Sequence, residues 1–97
     1  MTKKDRSTWT FLTNHSHVLL CLAKSQSMRM RDIAQEVGIT ERAVQHIIAD
    51  LRDEGYISLH REGRCNAYEI HAEKHLKHPM EEKRTIADLI RMVADES

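Results

Sequence analysis

Proline occurs once in this sequence, glycine three times, and the aromatic residues amount to one Trp, two Tyr and one Phe. So few chain breakers, among many Ala, Leu, Glu, Lys and Arg, argue against a loop-rich or sandwich-type β fold and for helices. So few aromatics require an aliphatic core. The two cysteines, Cys21 and Cys65, are too far apart for a CxxC metal or redox motif, and they provide no disulfide framework. Cys21 lies in an apolar helical stretch and reads as a small core residue. The longest apolar run, Val18 to Ala23, falls well short of the about 18 residues a transmembrane helix needs. No signal-peptide pattern follows the basic start, so a cytoplasmic protein with no membrane association is expected. An excess of basic residues is missing too: 15 Lys and Arg balance 15 Asp and Glu. A polyanion-binding role must then rest on where the charges sit.

The 97 residues suffice for one core and one domain. Residues 1–8, with Lys3, Lys4 and Arg6, read as a mobile basic arm. Asn14 is the expected N-cap of a helix running to about Lys24, in which Val18, Leu19 and Leu22 recur at helical spacing. A short extended "RMR" precedes a second helix with Ile33, Ala34 and Val37 on one face. Gly38 is its expected left-handed stop. Thr40 is a good N-cap for a third helix from Glu41 to about Glu54, stopped by Gly55. Two helices joined by so short a glycine-containing turn are a helix-turn-helix unit. The period then changes to two: Ile57 and Leu59 alternate with Ser58 and His60, and Tyr68 and Ile70 flank Glu69. Gly63 in "EGRCN" suits the tip of a hairpin between them. A last helix is expected from Pro79, at its first position, to about Ala94, with Glu81 and Glu82 in the first turn. The expected fold is mainly α with a small β-hairpin wing. The winged helix-turn-helix domain covers 9–78, and a C-terminal helix in 79–97 is a candidate dimerisation element.

Stepping about 100° per residue along the third helix separates two faces. Val44, Ile47, Ile48 and Leu51 form the buried stripe; Arg42, Gln45, His46 and Ala49 lie opposite. Arg forks onto guanine O6 and N7 and Gln onto adenine N6 and N7, so this face has the residue types that read base edges in double-stranded DNA. Asp50, Asp53 and Glu54 fall in the helix's second half, away from the end that enters a groove. Arg61 and Arg64 flank the wing tip. Glu41 stands at the entering end, where an acid serves the helix dipole or accepts from cytosine N4.

The stretch "RDIAQEVGITERAVQHIIADLRDEGYI" resembles the winged helix-turn-helix core of MarR- and ArsR-type transcriptional regulators, through Ile33-Ala34, Gly38-Ile39-Thr40, Val44, Leu51, Gly55-Tyr56-Ile57 and the wing around Gly63-Arg64. The resemblance continues through "WTFLTNH" and "HPMEEKRTIADLI" and implies a DNA-binding regulator of transcription. It places Thr40, Arg42, Gln45 and His46 at recognition-helix contacts and Arg61 and Arg64 at wing contacts. The chain lacks the long flanking helices of MarR-type proteins, and with them the frame for their ligand pocket.

Seven histidines invite a metal reading, above all His71, His75 and His78 in "HAEKHLKH" and His15 and His17 in "HSH". No acid or Cys partner is placed in sequence to complete either set, so they read as surface residues; no metal and no other cofactor is expected. No nucleophile elbow, phosphate-binding glycine loop or HExxH motif is present, and an enzyme is not expected. The sequence identifies no small-molecule effector. Ile86, Leu89, Ile90 and Val93 form an apolar stripe that either packs on the first helix or, with Trp9, builds a homodimer. A two-fold dimer would set two recognition helices about one DNA turn apart. The competing function is a winged helix that docks on proteins and never meets DNA.

Overall fold

The computed structural model describes residues 9–25, 27–63 and 65–94, so the basic arm and Arg64 lie outside the described residues. Four helices and one hairpin follow in the order α1 (Asn14–Lys24), α2 (Met30–Val37), α3 (Glu41–Asp53), β1 (Ile57–Glu62), β2 (Cys65–Ile70) and α4 (Ile86–Ala94). This is a winged helix-turn-helix with an added C-terminal helix.

Each boundary has a local cause. Thr13, rather than Asn14, caps α1: its hydroxyl accepts from Ser16 N–H, and Asn14 is the first helical residue. Arg29 alone remains extended before α2, since Met30 already belongs to the helix. Gly38 takes φ 89°, which lets its own N–H and that of Ile39 both donate to Ala34 O and end α2. Thr40 Oγ1 accepts from Ala43 N–H at 3.0 Å and starts α3. At the other end Tyr56 N–H donates to Leu51 O (2.8 Å) and Gly55 N–H to Arg52 O (3.0 Å), the double closure of a Schellman turn. Tyr56 and Leu51 are both buried, so the turn that ends α3 also aims β1 along the core.

The two strands pair antiparallel with Ile57 opposite Ile70 and Leu59 opposite Tyr68, joined at Gly63 (φ 67°) and Arg64. A two-residue connection with positive φ at its first position matches the strands' twist. Ile57 and Tyr68 are buried, but Leu59 is 42 % exposed. Alternation places Leu59 on the inward face, yet by that point the ribbon has run past the helices.

One core joins all the elements: Val18, Leu19 and Leu22 of α1 meet Ile33 of α2, Val44 and Ile48 of α3, Ile57 of the wing and Ile86 of α4. Two expectations for the C-terminal part are corrected. First, α4 begins at Ile86, not Pro79. Thr85 Oγ1 accepts from Asp88 N–H (3.2 Å) while Asp88 Oδ2 accepts from Thr85 N–H (3.0 Å), a reciprocal cap that starts the helix there. Residues 79–84 make turns, all exposed, and offer no apolar stripe to bury as a helix. Second, Ile86 (3 % exposed) and Leu89 (8 %) face this chain's own core and are not free to build a dimer. Ile90 packs against the same core, whereas Val93 and Trp9 remain exposed.

Candidate nucleic-acid interface

The face opposite the buried stripe of α3 is open. Thr40, Glu41, Arg42, Gln45 and His46 are all exposed, and Ala49 is half-buried. Among the described residues, Arg42, Gln45 and His46 make no side-chain hydrogen bond or ion pair within the chain. Their polar atoms therefore point to water or to a ligand. The Thr40 hydroxyl oxygen is already an acceptor for the helix cap, which leaves its O–H available as a donor.

The acids further along α3 are held differently. Asp50 Oδ2 lies 2.9 Å from His15 Nε2 on α1, and Glu54 Oε1 lies 3.4 Å from Lys77 Nζ. Asp53 has Arg52 at 3.8 Å. These are exposed pairs and contribute little stability, but each sets a basic group beside an acid on the half of the helix away from its N-terminus. Elsewhere Lys24 pairs with Glu36 at 2.6 Å, and this carboxylate raises the lysine's pKa through hydrogen bond and charge. Asp88 pairs with Arg91 at 2.7 Å.

Arg61 is exposed on β1 and has no such partner among the described residues. On the wing's outer face His60 Nε2 meets Glu69 Oε1 at 3.0 Å, so the strand's acid is engaged next to Arg61. Sequence reasoning missed Arg29 and Arg31. Both are exposed, both lack an ion-pair partner among the described residues, and they flank the start of α2. An Arg at the N-cap and another in the first turn are unfavourable against the helix dipole. That local misfit was the available signal, hidden because "RMR" reads as a plain connector.

The histidines considered as metal ligands have other partners. His71 Nε2 lies 2.6 Å from Ser58 Oγ, His75 Nδ1 lies 2.8 Å from Glu82 O, and His78 Nδ1 accepts from Met80 N–H. Among the described residues no three His, Cys, Asp or Glu side chains come together as a metal site. Cys21 is buried, and that burial, with Glu36 nearby, raises its thiol pKa. No helix is long and apolar enough to cross a membrane among the described residues.

Residues 12–58 match a family described as winged helix-turn-helix DNA-binding. The matched span runs from just before α1 to the first residues of β1, and so contains both helices of the motif and the root of the wing. No curated protein matches the chain.

Proposed function

We propose that this protein is a sequence-specific, DNA-binding transcriptional regulator of MarR or ArsR type, acting in the cytoplasm as a pair of copies. The observation that supports it is the division of α3. Its N-terminal half carries Arg42, Gln45 and His46 exposed and unengaged, while Asp50 and Glu54 beyond them are each beside a basic group from another segment. Arg42 and Gln45 supply base-edge contacts in the major groove, and His46 and the Thr40 hydroxyl donate to a base or phosphate. Arg61 and Arg64 hold the backbone from the wing, and Arg29 and Arg31 hold it from the start of α2. A paired arrangement would give two half-sites.

The test is fluorescence anisotropy with labelled duplex from the gene's own upstream region against scrambled duplex, at two salt concentrations. Tighter, salt-sensitive binding to the upstream duplex that is lost in Arg42→Ala and Gln45→Ala is the expected result. Folded protein that binds neither duplex at either salt would point instead to a protein-docking winged helix.

A further inference from the structure

Trp9 is 64 % exposed and Phe11 is 91 % exposed, and the two rings pack edge to face with centroids 5.0 Å apart. Half of the aromatic residues in the chain thus stand in water side by side, as a preformed knob. The Thr10 hydroxyl donates to Leu12 O within this segment, and Leu12 packs back against the core. The same Leu12 lines a groove of about 620 Å³, whose apolar wall continues through Leu76, Leu89 and Met92. Met92 is 69 % exposed. Knob and groove therefore lie next to each other on one face.

We infer that this face joins two copies of the chain, the Trp9–Phe11 knob of each seating in the groove between α4 and Leu76 of the other. The inference rests on the two-copy part of the proposed function and specifies how the copies meet. Three observations favour a second copy over another occupant. A knob adjacent to a groove is satisfied by a two-fold axis, which inserts both knobs at once. The groove's charged rim is balanced, with Glu81 and Asp88 against Arg84 and Arg91, so two identical faces do not repel each other. The area also suffices: burying four aromatic side chains at about 150–250 Å² each gives roughly 600–1,000 Å². Met92 and Val93 from both copies bring this to about the 1,200 Å² of a small stable interface. None of Arg42, Gln45, His46 or Arg61 lines the groove, so pairing leaves the nucleic-acid face open.

Trp9 is the sole tryptophan, so its emission reports on this face alone. The full chain should sediment as a dimer at tens of micromolar. On dilution, its Trp emission should shift to the red over the same range in which the dimer dissociates. Phe11→Ala and Met92→Lys alter side chains exposed in the single copy; circular dichroism checks that both remain folded. Each should weaken dimerisation about tenfold or more, while Arg42→Ala dimerises like wild type. A wild-type monomer at tens of micromolar would overturn both the inference and the two-copy reading. A wild-type dimer with unchanged affinity in both variants, and Trp9 emission indifferent to dilution, would overturn the inference alone.

Discussion

Replacing Arg61 by alanine separates backbone gripping from base reading. Arg29, Arg31 and Arg61 are exposed and without ion-pair partners among the described residues. If each neutralises one phosphate, log K should fall with log salt at a slope of about −0.9 per contact, so about −2.7 per copy and about −5.4 for two copies on one duplex. From 50 to 200 mM salt that slope costs on the order of 10³-fold in affinity. Arg64, outside the described residues, would steepen it further. Arg61→Ala removes one contact per copy and should flatten the slope by about 0.9, or about 1.8 for a bound pair. Arg42→Ala should behave differently, losing about 1–3 kcal/mol of discrimination at one base pair with the slope little changed. Anisotropy titrations at several salt concentrations, on specific and scrambled duplex, measure both quantities. The assignment of Arg61 to phosphate is refuted if its variant loses the same factor at every salt concentration. A wild-type slope near zero would remove the groove-binding reading altogether.

Ile86→Ala should destabilise the domain by about 2–5 kcal/mol in urea unfolding, because its side chain is buried in the shared core; a loss under about 1 kcal/mol would make α4 a mere appendage. Thr40→Ala removes the cap of α3 and should cost about 1 kcal/mol, with Thr40→Ser largely restoring it; thermal melts of the three proteins decide this. The Asp88 carboxyl is held below its ordinary range, first by the Thr85 N–H hydrogen bond, with the Thr85 hydroxyl and the Arg91 and Arg84 charges adding to it. A lowered folded pKa means that this contribution is complete above the unfolded value of about 4 and fades as pH falls through the folded one. Asp88→Asn should therefore show a shallower loss of stability below about pH 4 than wild type, and parallel acid limbs would contradict the assignment.

The helix-turn-helix could be read from the residues because its signals are short-range. Gly38, Thr40 and Gly55 each fix a boundary through their own backbone, and the stripe from Val44 to Leu51 fixes which side is buried. The hairpin followed for the same reason, from Gly63 and a period of two. What failed depends on distant partners. Pro79 and the acids after it look like a helix start, but the chain around Lys74 to Leu76 bonds to residues 84–86, and the cap sits at Thr85. The apolar stripe of α4 could be placed in the sequence, but only the packed structure divides Ile86 and Leu89, facing inward, from Val93, facing out. The exposure of Leu59 depends on how far the ribbon extends beyond α3, which periodicity cannot report. On the candidate interface, Arg42, Gln45 and His46 followed from helical geometry. The anchoring of Asp50 by His15 joins residues 35 positions apart and had no sequence signal.

The segment between wing and α4 is tied shut at its neck. Leu76 N–H donates to Arg84 O, Ile86 N–H to Lys74 O, and His75 bridges Thr85. At the free end Met80 is almost wholly exposed. A loop closed at its base transmits little from its tip, and lengthening it costs only the slowly growing entropy of a longer closure. The junction of Pro79 and Met80 is thus a natural port for an inserted epitope or dye-binding peptide. A label there would travel with the domain while leaving both the recognition helix and the Trp9 side of the molecule unaltered.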